Sequence, residues 1–334
     1  MTDSKLAQAL FAATDAEFRD AAAHIAADAV RTPLLPFPAG NGRSIRLKCE
    51  NLQPLGSFKI RAGASAVAMF GEGPPAAVAT ASAGNFAQGL TLAARRRGMA
   101  VTVHAPETAA RVKVAAMEAL GARVVEHPFE RWWEILSTRD TGADDGAFVH
   151  PVAERGVVLG NGTIGLELAE DWPDLDTLVV PFGGGGLVSG IALALRVLGV
   201  PARIIACEAE TSTPLAAAFA AGHPVRVERK PSFVDGIGSN SVLEEMWPLL
   251  RELVDDVIVV SVAEIRTAVR ALATQSHVVA EGAGAAALAA ALSPTCGGHN
   301  VAAVISGGNI DAARLAEILS ETEGGQATSP GRPT

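Results

Sequence analysis

The chain has 334 residues, 49% of them hydrophobic and 19% charged, with 34 glycines, 19 prolines and no tyrosine. That balance excludes a disordered segment or a single small module and fits a globular enzyme of one or two compact units. With 27 basic against 36 acidic side chains the formal charge is -9, so no footprint for nucleic acid or an anionic membrane is present. Cys49, Cys207 and Cys296 are widely separated and match no metal-ligand or redox spacing, which fits a reducing compartment. The opening MTDSKLAQAL has no basic patch followed by an apolar run, and no apolar segment reaches membrane-spanning length. A soluble cytoplasmic protein is expected.

The first segment able to carry chemistry is residues 50–67, ENLQPLGSFKIRAGASAV, where Lys59 sits between Phe58 and Ile60 and opens a run of helix formers. Apolar surroundings lower an ammonium pKa and free the amine as nucleophile or base. An ordinary surface lysine at a helix start is the alternative. From about residue 76 onward, β-rich runs alternate with helical patterns. The strands are AAVATAS, AVTVHAP, RVVEHP, AFVHP, TLVVPFG, ARIIACEA, DDVIVVS and NVAAVISGG. Between them, TAARVKVAAMEALGA and SVAEIRTAVRALATQSH repeat apolar residues three and four apart, as on one helix face. The pattern predicts an α/β fold of open, mostly parallel sheets with helices on both faces, and this many strands fill two sheets. The seam falls near HPVAERG, residues 150–156. No fixed-period repeat is visible.

The first of these strands runs into SAGNFAQG, where a helix start offers amide groups to an anion and Asn85 can donate or accept. A simple helix cap is the alternative. FERWWEILS carries Trp132 and Trp133, at least one of which belongs to core or interface rather than to a ligand platform. In PFGGGGLVSG, Gly183, Gly184, Gly185 and Gly186 lie between a strand and an apolar helix. Backbone amides and the positive helix end converge there into a cradle suited to a phosphate. A linker or packing turn is the alternative.

A dinucleotide site competes, because Glu208 ends the next strand about where a ribose-binding acid would sit; it leads to an NAD-dependent oxidoreductase. Against it, Leu187, Val188 and Ser189 follow where a third small residue is required. In VISGGNI, Ser306 ends a late strand, the position at which open α/β sheets bind ligands, or else is a turn residue. TEGGQATSPGRPT lacks apolar periodicity and is expected to be disordered. The seven histidines are dispersed and no metal site is expected.

Taken in order, SFKIR, SAGNFAQG, GGGGL, EGAGAA and SGGN resemble the motifs of the fold type II pyridoxal-phosphate enzymes over roughly residues 30–315. The resemblance is to the serine/threonine dehydratase and serine racemase branch, with its tryptophan synthase β-like fold. It implies a large cofactor-binding domain of residues 1–70 and 151–320, a small substrate-loop domain of residues 71–150 and a tail of residues 321–334. Pyridoxal 5'-phosphate would be held covalently by Lys59, which also shuttles the Cα proton, and would pack against Phe58. Asn85 would meet its phenolic oxygen and Ser306 its pyridine nitrogen. Gly183, Gly184, Gly185, Gly186 and Leu187 would bind its phosphate, with Glu281 near the ring.

Ser82, Ala83, Gly84, Asn85 and Phe86 would form the substrate loop. The activity implied is elimination of water from a β-hydroxy amino acid such as threonine or serine, giving an α-keto acid and ammonia. A serine racemase or a 3-hydroxyaspartate dehydratase is the near alternative, and an inactive cofactor-binding protein the non-enzymatic one. A homo-oligomer, first of all a dimer, is expected. Several positions depart from the branch: Phe86 stands where it usually shows His, Asn161 where Gln is common, and Pro214 where a cation site near Glu208 would need a second acid. The chain stops soon after SGGNIDAARLAEILS, so inhibition by isoleucine through a separate regulatory domain is not expected.

Overall fold

The computed structural model describes residues 4–40 and 42–321. Ten strands follow one another along these residues: β1 (Leu34–Phe37), β2 (Ser44–Lys48), β3 (Ala77–Ala81), β4 (Ala100–Pro106), β5 (Arg123–His127), β6 (Ala147–Phe148), β7 (Thr177–Pro181), β8 (Arg203–Ala209), β9 (Asp256–Val260) and β10 (Asn300–Val304). They form a six-stranded sheet in the order β1-β2-β10-β7-β8-β9 and a four-stranded sheet in the order β5-β4-β3-β6. Every pairing is parallel except β1 with β2. All eight runs expected from the sequence are strands. The tail expected to be disordered lies, beyond Glu321, outside the described residues.

The sequence reading missed β1 and β2. In β1 a proline interrupts the run, and in β2 Ser, Arg and Lys break the apolar signal. Nevertheless β2 lies between β1 and β10, and its Lys48 is fully buried. Tertiary context overrides composition here: Lys48 Nζ pairs with Glu167 at 2.5 Å and donates to the Thr32 carbonyl at 2.8 Å. A buried ammonium is tolerated where charge and donors are both matched.

Alternation along the central strands sends successive side chains to opposite faces. Leu178, Val180 and Val304 join the apolar cluster on one side of the larger sheet, while Val179, Ile205 and Ala303 join the cluster on the other. Both faces are therefore covered, as a parallel sheet requires. The helix Gly282–Leu292, GAGAAALAAAL, is buried through almost its whole length, its small side chains permitting close approach to the strands.

A backbone-to-backbone contact joins the lysine segment to the helix that follows β3. A Cβ on Gly63 would lie 2.5 Å from the Leu90 amide nitrogen, and one on Gly89 would lie 2.7 Å from the Lys59 carbonyl oxygen. Only glycine admits this approach. The helices Lys59–Ala68 and Asn85–Arg96 are thereby fixed against each other.

Candidate active site

Lys59 is the first residue of its helix, and the turn before it is stitched to the turn after β10. The Phe58 amide donates to the Ser306 carbonyl at 3.1 Å, and the Gly308 amide donates to the Gly56 carbonyl at 2.8 Å. Two motifs far apart in sequence thus share one ladder. Below the lysine, Arg61 is buried and paired with Glu50 at 2.8 Å and Glu167 at 2.7 Å. Burial alone would raise the Glu50 pKa, but the Arg61 guanidinium outweighs it and holds the carboxyl below its usual range.

Among the described residues the amine of Lys59 has one hydrogen-bond partner, the Pro151 carbonyl at 3.4 Å, and it lies 4.9 Å from the Phe58 ring centre and 5.6 Å from that of Phe86. Burial pushes its pKa down to about 8. Pro151 belongs to a tight turn in which His150 Nδ1 accepts from the amides of Val152 at 3.1 Å and Ala153 at 2.8 Å. Burial, aided by Arg139 and Lys59, lowers the His150 pKa to about 3, so the ring stays neutral and keeps this acceptor.

Phe58, Lys59, Ser82, Ala83, Gly84, Asn85, Phe86, Gly183, Gly184, Gly185, Gly186, Leu187, Glu281 and Ser306 all line one cavity of about 530 Å³. The helices that start on it without a side-chain cap include Asn85–Arg96 and Gly186–Val197. Their first amides are free to meet an anion. Gly185 has φ 96°, the left-handed region that lets the strand β7 turn directly into the helix.

Asn85 sits in a side-chain network. Its Nδ2 donates to Glu281 Oε1 at 3.2 Å and its Oδ1 accepts from Asn309 Nδ2 at 2.9 Å. An amide has two N–H groups, so one proton of Asn85 is left for a ligand. Burial, with Asp235 adding repulsion, raises the Glu281 pKa to about 7, while Lys113 and Asn85 oppose the rise.

Glu208 is engaged elsewhere. Its carboxylate accepts from the amides of Leu215 at 2.8 Å and Ala216 at 2.9 Å, capping the helix Pro214–Ala221. This removes the acid on which the dinucleotide reading rested.

Several cavity residues were not singled out from the sequence. Trp132, given no site role from the sequence, lines the wall, its buried indole Nε1 without a hydrogen-bond partner among the described residues; Trp133 is not among the lining residues. Thr108, Lys113, Leu136, Pro151, Val152 and Asp235 join it. Apart from Leu136, near the end of the helix Phe129–Thr138, they come from turns and first helical turns, which carry no residue pattern tying them to β3 or β7. Only HPVA, a polar turn at the sheet seam, offered a local signal.

A buried lysine amine with a lowered pKa and an uncapped glycine turn facing one cavity define a site for a phosphate-bearing carbonyl cofactor. The polar inventory fits such a group. Lys59 has a single long contact, and Asn161, with no partner for either side-chain amide atom, lies against Gly186, its Nδ2 3.6 Å from where a Cβ there would sit. The family model described as pyridoxal-phosphate dependent enzyme matches residues 25–307, and the chain belongs to that family. An L-threonine ammonia-lyase of Thermotoga maritima is 40% identical over 286 residues, 84% of this chain and 71% of that one. A serine racemase of Rattus norvegicus is 35% identical, covering 86% of this chain and 90% of its own. Among solved structures, maize serine racemase superposes with TM-score 0.80 at 32% identity, over 92% of this chain and 96% of that one.

Proposed function

We propose that the protein is an ammonia-lyase that eliminates water from a β-hydroxy amino acid such as L-threonine or L-serine, yielding an α-keto acid and ammonia. The observation that carries the reading is the Lys59 amine, with a pKa near 8 and one long contact at 3.4 Å, facing the Ser82–Asn85 helix start and the glycine turn across one cavity. The ammonia-lyase relative supports the same reading.

Pyridoxal phosphate, when bound, supplies the electron sink that lets an amino acid lose its Cα proton. The chain supplies the rest. Lys59 anchors the cofactor and then, with its amine near neutral, takes and returns the proton at Cα. Gly183, Gly184, Gly185, Gly186 and Leu187 hold the phosphate through their amides, and Phe58 packs on the ring. Ser306 would offer an uncharged hydroxyl to the pyridine nitrogen. Ser82, Ala83, Gly84 and Asn85 receive the substrate carboxylate, with Phe86 and Glu281 beside them.

The same reading takes residues 71–150 as a small substrate-loop domain on a larger one, and a dimer in the cytoplasm as the working form. A racemase is the second reading, favoured by the serine racemase relatives. The test is a panel of β-hydroxy amino acids, 3-hydroxyaspartate included, assayed for keto acid, ammonia and the D-isomer. Keto acid and ammonia in equal amounts support the lyase. D-isomer without ammonia supports the racemase, and no turnover of any member rejects both.

A further inference from the structure

Lys113 lies in the first turns of the helix Arg111–Ala119, which follows β4 of the smaller sheet. Asp235 lies in the long connection between Ala221 and Trp247 that leads back to the larger sheet. Their side chains meet at 2.6 Å, and both line the cavity. With side chains 35% and 52% exposed, such a pair contributes little to stability. Its field is another matter, since both partners line the same cavity as a buried carboxyl.

That carboxyl is Glu281. It accepts from Asn85 and shares the cavity wall with Lys113, Asp235, Lys59 and Arg229. The segment bearing Asp235 is held close to it, for a Cβ on Gly236 would lie 2.8 Å from Ala283 Cβ and 3.8 Å from Glu281 Oε1. Ionised, Glu281 is a strong acceptor for the Asn85 amide; protonated, it is a weaker one.

We propose that Lys113 and Asp235 are positioning residues that together set the ionisation of Glu281, and through it the orientation of Asn85. Neither touches the reacting atoms. The pair controls whether the residue at the start of the substrate-loop helix is held, and it does so from the side of the cavity formed by both sheets. This goes beyond the lyase reading, because it concerns the resting cavity whatever amino acid enters.

The two charges act with opposite signs, which separates this role from a structural one. Asp235→Asn removes the anion and leaves Lys113 uncompensated, so Glu281 loses its proton at lower pH. Lys113→Met removes the cation and leaves Asp235 uncompensated, so Glu281 holds its proton to higher pH. Each displacement is expected to be roughly half a pH unit, and the double variant falls between the two.

The experiment is infrared titration of the protonated carboxyl band in the full chain without substrate, with Glu281→Gln subtracted to isolate the signal. It is paired with the pH dependence of kcat/KM in the same variants. Opposite displacements in the infrared titration, mirrored in the kinetic profile, are the result expected. Displacement of both variants in one direction, or of neither, overturns the proposal. The infrared arm uses no substrate, so its failure is distinguishable from failure of the lyase assignment.

Discussion

Lys59 Nζ lies 3.4 Å from the carbonyl oxygen of Pro151, a single long contact for a group with three protons to donate. The turn that carries Pro151 also presses Val152 against the glycine turn, so the two halves of the cofactor site share one supporting segment.

The amine should therefore load cofactor at unusually low pH. Burial brings its pKa to about 8, against about 10.4 for an ordinary lysine. The native amine releases its proton first, so between these values the unfolded chain binds more protons and the stability of the cofactor-free protein rises with pH. The cost of the buried charge is present in full below about 8. Borohydride-trapped capture of pyridoxal phosphate, mapped to Lys59, should rise with a midpoint near 8, and Lys59→Ala should lose both capture and turnover while staying folded. A midpoint near the ordinary lysine value would contradict the environment described here.

Gly184 gives a paired prediction. A Cβ there would lie 2.7 Å from Val152 Cγ2 and 2.9 Å from Cγ1, so Gly184→Ala must displace Val152 and with it Pro151. Cofactor affinity should fall about tenfold or more, as one lost charge-assisted contact implies. Val152→Ala removes the obstructing methyls, so the double variant should recover most of the loss. If it binds as weakly as Gly184→Ala, the turn is not the cause.

Much of this site was legible because its motifs sit at strand ends, where β7 runs into the glycine turn and β10 into Ser306. Local patterning reports such junctions well. What it could not report is which walls meet across the cavity, such as Lys113 from the side of the smaller sheet and Asp235 from that of the larger, 122 residues apart and joined only by tertiary approach. The same limit hid β2, whose Lys48 reads as exposed until Glu167 and Thr32 are brought to it. Trp132 shows a related limit: an amphipathic helix shows which face is apolar, not whether that face covers a core or a cavity.

Arg61 should be the costliest single loss in the support beneath Lys59. Arg61→Leu leaves Glu50 buried without its guanidinium, a change expected to cost about 3–5 kcal/mol. The Glu50 carboxyl is held below its usual range, so the stability it contributes is present above the ordinary carboxylate pKa and is lost as pH falls through the lowered folded value. Denaturant melts of wild type and variant should thus differ most near neutrality and converge in acid. A loss below about 1 kcal/mol at neutral pH would mean the network does not anchor the helix.

The last prediction is that elimination outpaces racemisation. Inverting Cα requires a proton donor on the face opposite Lys59. Ala83 lines the cavity beside Ser82 and Gly84, and a methyl group transfers no proton. Ser82 is an imperfect substitute, since its hydroxyl accepts from the Gly84 amide at 3.4 Å and its own amide is tied to the His104 carbonyl at 3.1 Å. Incubation with L-serine, following pyruvate and D-serine together, should show pyruvate dominant in wild type and a rise in D-serine in Ala83→Ser. D-serine formed as fast as pyruvate by wild type would move the assignment to the racemase. If Ala83→Ser leaves D-serine at background while wild type makes only pyruvate, the lyase stands and a hydroxyl at this position is insufficient for the second proton transfer.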